Sequence, residues 1–295
     1  MKTILVMTDF TLRADNAAQY ALGLAQNIEA NVLLCNVFFV PSRQEDIQVT
    51  WPADEYKRME MNSEFDLRSL KNKLSRELNQ TADQGSFKPE INYCAKAGPL
   101  TDVMNELVYH NNIVTVVVGK HNTFGLSDFL TGNHTNQIIE KADCPVLVVP
   151  AQLPYTGFKK IAFATDLAAT SIDVLQSLVG LARYSNAEIL ITHIADEKTS
   201  DEVEQVVIRH FFSDVATKTD YPQIYYKAVK HRTVTGGLDW VAEHTDVDLI
   251  VLIHRKRSFF ERWIDNSVTQ RMADHALKPL LVFPAAKVAD ILPVF

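Results

Sequence analysis

The sequence predicts an α/β protein made of two tandem domains, each a doubly wound five-stranded parallel sheet. Three observations predict it. Continuous Val/Ile/Leu runs alternate with amphipathic stretches, as in parallel strands covered by helices on both faces. The layout occurs twice, with "KTILVMTDF" at 2–10 matching "KKIAFATDL" at 159–167. The chain has 295 residues, and domains run to roughly 100–200 residues each.

In the first half, residues 3–8 form an apolar strand and 15–28 a helix with Ala18, Leu22, Ala25 and Ile28 on one face. A second strand is predicted over 32–39, a helix over 65–78, a third strand over 91–95, a helix over 100–110 and a fourth strand over 113–118. A last helix over 135–142 and a last strand over 146–149 complete the half. An offset of 157 carries Thr8 onto Thr165, Asp9 onto Asp166, Gln19 onto Gln176, the "GLA" at 23–25 onto 180–182, and Leu33 onto Leu190. Nearer the ends of the halves the offset is 134, and "ADCPVLVVP" at 142–150 faces "ALKPLLVFP" at 276–284. The difference of 23 residues is an insertion in the first half between Val37 and Asn92. It falls in "PSRQEDIQVTWPADEYKRMEMNSEF", which reads as a loop plus an extended helix. The expected domains are 1–150 and 159–284, joined by a linker at 151–158 and followed by an apolar tail at 285–295 that is suited to docking.

Hydrophobic residues make up 47% and charged residues 22%, an ordinary globular composition. A formal net charge of −7 argues against a nucleic-acid binder. The opening "MKTILVMTDF" has too short an apolar run for a signal peptide. No apolar run approaches the ~20 residues that span a bilayer. Cys35, Cys94 and Cys144 are odd in number and far apart in sequence, which suits neither a disulfide framework nor a zinc site. The expected setting is a reducing cytoplasm, with no membrane, nucleic-acid or metal partner. The nine histidines show no metal-ligand spacing; His110 and His244 match in the repeat near helix ends, where a cation suits the dipole.

Ligands of open parallel sheets bind beyond the carboxyl ends of the strands, where strand order reverses. With strands one and four as neighbours there, Asp9, Gly119 and Gly132 share one crevice. Asp9 then accepts hydrogen bonds from a base or ribose; alternatively Asp9 and Asp166 cap the following turn or helix. The segment "VVVGKHNTFGLSDFLTGNHTNQII" at 116–139 ends a strand at one glycine and starts a helix after another. Glycine admits close backbone approach to an anion, and a helix start offers unpaired N–H groups. There is no Walker motif and no G-x-S-x-G elbow.

These residues resemble the universal stress protein family, over both halves. The family's strand one ends at an acidic residue and its nucleotide loop reads G-x2-G-x9-G-[ST]. The resemblance implies a tandem in which the halves pair through their last strands, "PVLVVP" and "PLLVFP". It also implies binding of ATP or a related adenine nucleotide, with Mg. Onto the family pattern, Thr8, Asp9 and Val37 fall on the adenosine side and Gly119 on the first glycine. Asn122 stands at the second glycine, Gly132 at the third and Asn133 at the Ser/Thr, with His134 and Thr135 following. Asparagine tolerates left-handed backbone and its amide donates to phosphate.

In the second half, Asp166 and Ile194 keep the adenosine side, but Ile253, Lys256 and Asn266 replace the three glycines; Ser267 and Thr269 keep hydroxyls. In the loop "HRKRSFFERWIDNSVT" at 254–269, Phe259, Phe260 and Trp263 are expected to pack the loop down or cover a partner, rather than stack on a base. The run His254, Arg255, Lys256 and Arg257 is a solvated charge run or an anion site. Two functions remain: a stress-response module binding adenine nucleotide in the first domain, or a nucleotide-independent scaffold, dimeric or engaging a protein partner. An enzyme such as a slow ATPase is least supported, because Asp9 would lie near the base and not the γ-phosphate.

Overall fold

The computed structural model describes residues 1–38, 53–81, 85–120, 133–168, 170–195, 201–254, 278–284 and 295. The first half runs β1 (Thr3–Met7), α1 (Leu12–Asn27), β2 (Asn31–Phe38), α2 (Ala53–Thr81), β3 (Ile91–Ala97), α3 (Leu100–His110), β4 (Ile113–Lys120), α4 (Asn133–Lys141) and β5 (Val146–Pro150). The second runs β6 (Lys160–Ala164), α5 (Thr170–Ser185), β7 (Glu188–Ala195), α6 (Asp201–Lys218), β8 (Ile224–Lys230), α7 (Val234–His244), β9 (Leu249–His254) and β10 (Leu280–Pro284).

Among the described residues, ten strands join one sheet in the order β3-β2-β1-β4-β5-β10-β9-β6-β7-β8. Pairing is parallel within each half, while β5 and β10 run antiparallel, with Leu147 opposite Leu281. Strand order reverses between β1 and β4, and in the copy between β6 and β9.

Alternate residues of each strand face opposite sides. Ile4 and Val6 face a layer that includes α1, α2, α5 and α6, while Leu5 and Met7 face one made by α3, α4 and α7. The first layer is continuous across both halves. Strands covered on both faces account for the unbroken apolar runs.

Helix α2 starts twelve residues before the predicted 65. Leu67, Leu70, Leu74 and Leu78 form its buried stripe, and that stripe alone set the expected start. The earlier turns are mostly polar, with Met61 and Phe65 exposed, and are tied down by buried Ser63, whose hydroxyl donates to Asn36 Oδ1 at 2.8 Å.

The segment after β5 is less a free linker than a strap. Phe158 is buried, and Tyr155 meets Tyr20 and Phe158 edge-on, with ring centroids 5.1 and 5.4 Å apart. The Tyr155 hydroxyl and the Ser185 hydroxyl of α5 both donate to Asn27 Oδ1, at 3.0 and 2.9 Å. The Tyr155 ring lies where a side chain on Gly23 would be. The copy repeats this: Gly180 faces the backbone of Phe295, itself buried. The "GLA" match thus marks the spot on α1 and on α5 where an aromatic residue from beyond the last strand crosses the helix. The remainder of the tail, 285–294, lies outside the described residues.

Candidate functional site

The turn after β1 is built by three side chains. Thr8 is buried; its Oγ1 accepts from Phe10 N at 3.1 Å and its carbonyl accepts from Asn36 Nδ2 at 2.7 Å. Phe10 adopts a left-handed φ of 61°. Asp9 Oδ1 accepts from Thr11 N at 3.1 Å and Thr11 Oγ1 at 2.5 Å, and Arg13 Nη2 stands 4.0 Å from Oδ2. Thr11 in turn caps α1, accepting from Ala14 N at 3.4 Å. The turn-capping role expected of Asp9 is therefore present. Its side chain is still 64% exposed, at the carboxyl end of β1 beside the strand-order reversal.

The second half repeats this turn. Leu167 has a φ of 61°, Thr165 Oγ1 accepts from Leu167 N at 2.9 Å, and Asp166 Oδ1 accepts from Ala168 N at 3.2 Å. His193 takes the place of Asn36, with Nδ1 3.0 Å from the Thr165 carbonyl. Both threonines thus serve the turn through their side-chain oxygens. Asn36, Ser63 and His193 were not foreseen; they differ between the halves, so the repeat gave no signal for them.

Gly119 is the penultimate residue of β4, paired with Val149. A side chain there would run into the Arg13 carbonyl and its carbon, the latter at 2.7 Å. Its lack of a Cβ is what lets the first turn of α1 seat against β4. In the copy, buried Ile253 occupies this position. One residue on, Lys120 and His254 are both buried at the carboxyl ends of β4 and β9, so His254 does not belong to a solvated charge run.

The adenosine-side positions diverge. Val37 is half-buried against the layer of α3, where Val103 stands. Ile194 instead occupies the space beside Gly237: a Cβ on that glycine would lie 2.6 Å from Ile194 Cγ2. Next to it, Gly236 makes room for the His231 ring, whose Nδ1 would be 2.7 Å from a Cβ there and which accepts from Thr233 N at 3.1 Å. Helix α4 begins at Asn133, and Thr135 in its first turn is half-buried. A helix start in general offers unpaired N–H groups to an anion.

Asn122, Gly132, Ser267 and Thr269 lie outside the described residues, as do Lys256, Asn266 and the aromatic cluster of Phe259, Phe260 and Trp263. Among the described residues, no group of three His, Cys, Asp or Glu side chains could hold a metal ion, and no helix is long and apolar enough to cross a membrane.

A family model for the universal stress protein family matches residues 1–150 and again 157–284. Among solved structures, a universal stress protein from Archaeoglobus fulgidus aligns over 96% of this chain and 98% of its own, at 15% identity and a TM-score of 0.66. A functionally unknown protein from Pseudomonas aeruginosa aligns over 97% of this chain and 93% of its own, at 16% identity and a TM-score of 0.54. At such identities the likeness is one of fold. No curated protein sequence matches the chain. With its two halves matching one family model over nearly their whole length, the chain belongs to the universal stress protein family, as a tandem of two such domains.

Proposed function

We propose that the first domain binds ATP or a related adenine nucleotide, and that the tandem acts as a stress-response binding module with one working site. The observation that carries this is the inequality of two crevices built on the same turn. In the first, the Asp9 carboxylate is exposed at the strand-order reversal, with Val37 half-buried against the layer of α3 on one side, Gly119 near the end of β4 and the start of α4 after it. In the second, Asp166 is exposed as Asp9 is, but Ile194 fills the space beside Gly237, the His231 ring fills that beside Gly236, and Ile253 stands in the place of Gly119.

Asp9 would accept from the ribose or base, and the N–H groups at the start of α4 would meet phosphate. Any Mg²⁺ would come with the phosphates, since magnesium is usually held by one or two carboxylates plus substrate oxygens. Calorimetric titration of the full chain with Mg-ATP tests the proposal. The expected result is binding at one site per chain that weakens with Asp9→Ala. No heat and no thermal shift at millimolar nucleotide refutes it.

The second reading is a scaffold independent of nucleotide, working through its surfaces. It is favoured by the exposed apolar side chains of α2, Met61 at 69% and Phe65 at 73%. Denaturing the purified protein separates the two: a stoichiometric release of adenine nucleotide contradicts the scaffold.

A further inference from the structure

Far apart in sequence, two of the three cysteines meet in the sheet. Cys35 on β2 and Cys94 on β3 are direct partners in the parallel ladder. Registered partners on parallel strands point to the same face, and both thiols lie against the apolar layer that includes Val103 and Met104 of α3. Neighbouring strands are ~4.8 Å apart, within the ~4.4–6.8 Å between α-carbons that a disulfide accepts.

The two positions are unequal in a useful way. Cys35 is fully buried, while Cys94 is half-buried on β3, the terminal strand of the sheet. A small oxidant therefore reaches Cys94 first. The neighbouring Cys94 thiol pushes the Cys35 thiol up, with burial adding to it. Cys35 in turn pushes the Cys94 thiol down, and Lys96 assists, while burial and Glu106 oppose. Lys96 is two residues further along β3, on the same face, with Nζ 3.9 Å from Glu106 Oε1. A thiolate beside a cation, with a second thiol in reach, is the arrangement of an oxidisable pair. Cys144 is different: it is buried and its thiol donates to the Pro145 carbonyl at 3.6 Å.

We propose that Cys35 and Cys94 form a dithiol oxidised by hydrogen peroxide, closing to a disulfide that staples terminal strand β3 to β2. The Cys94 thiolate attacks one peroxide oxygen, the O–O bond breaks, and hydroxide leaves, giving a sulfenic acid at Cys94. The Cys35 sulfur then attacks the sulfenic sulfur; the S–S bond forms, the S–O bond breaks, and the hydroxyl departs with the Cys35 proton as water. One peroxide gains two electrons and the two thiols lose two. Exposed disulfides are the more readily reduced ones, and Cys94 is half-buried on the terminal strand, as a reversible modification needs.

The test treats the full chain with hydrogen peroxide, then denatures it, alkylates it and weighs it. The expected result is a loss of about 2 Da, the two thiol hydrogens, with one of the three thiols still alkylatable and a mapped Cys35–Cys94 bridge. Cys35→Ser is expected to lose the bridge and to leave a sulfenic acid at Cys94 that dimedone traps; Cys94→Ser is expected to show neither. A measurement on the unmodified reduced chain guards against misfolded variants: phenylarsine oxide, which needs two adjacent thiols, is expected to bind one to one. Three alkylatable thiols after peroxide, oxygen addition with no loss of hydrogen, a bridge to Cys144, or no arsenical binding each overturns the proposal.

Discussion

Gly23 sits in the middle of α1, where glycine costs a helix about 1 kcal/mol relative to alanine. Gly23→Ala is nevertheless expected to destabilise the protein. The added Cβ would lie 2.7 Å from Tyr155 Cδ1 and 2.9 Å from its Cβ. Carbon contacts settle near 3.5–4.0 Å, so the ring must retreat by roughly 0.8 Å. It is held in place by the bond to Asn27 and by Tyr20 and Phe158. Overpacking of this kind costs about 1–3 kcal/mol; less the helix gain, the net loss is about 1 kcal/mol. Tyr155→Ala alone removes a large aromatic contact and costs about 3 kcal/mol. In that background the clash is gone, and Gly23→Ala becomes stabilising by about 1 kcal/mol. Urea denaturation of the wild type, both single variants and the double variant measures this reversal of sign as a coupling of about 1–3 kcal/mol. An equal effect of Gly23→Ala in both backgrounds refutes the claim that the strap after β5 bears on α1.

Gly119→Ala is expected to destabilise the nucleotide-free protein by about 1–3 kcal/mol through the clash with Arg13; unchanged stability in thermal melts would contradict that clash. Thr11→Ala removes the cap of α1 and a partner of Asp9, and thermal melts are expected to register about 1 kcal/mol. Burial pushes the phenols of Tyr20 and Tyr155 above their ordinary value. Both are therefore neutral in the fold at pH values where the unfolded chain ionises them. Stability is full below the unfolded value near pH 10 and falls above it, by about 1.4 kcal/mol per pH unit for each group. Denaturation at pH 9 and 11 is expected to show a shallower fall in Tyr155→Phe than in the wild type, and an equal fall contradicts this assignment.

The repeat was legible because the sheet buries the same positions twice: the runs around Leu5 and Leu33 return at Ala162 and Leu190. The insertion was legible too, since a change of offset needs only counting. Glycine was harder. The approach of Arg13 to Gly119, which bars a side chain there, depends on how α1 seats against β4, and the letter alone does not carry it. Thr8 is similar: the match to the family pattern carries no sign that its hydroxyl also serves the turn that presents Asp9. The first turns of α2 escaped because helices carry exposed polar faces that apolar periodicity does not count. The meeting of Cys35 and Cys94 depends on strand register, which no spacing along one chain reveals.

The unequal crevices are tested most directly by hydrogen exchange with mass spectrometry, in the presence and absence of Mg-ATP. Protection is expected in peptides covering 7–14 and the start of α4, with peptides covering 164–171 and 231–237 unchanged. Equal protection of both sets, or protection of the second set alone, contradicts the account.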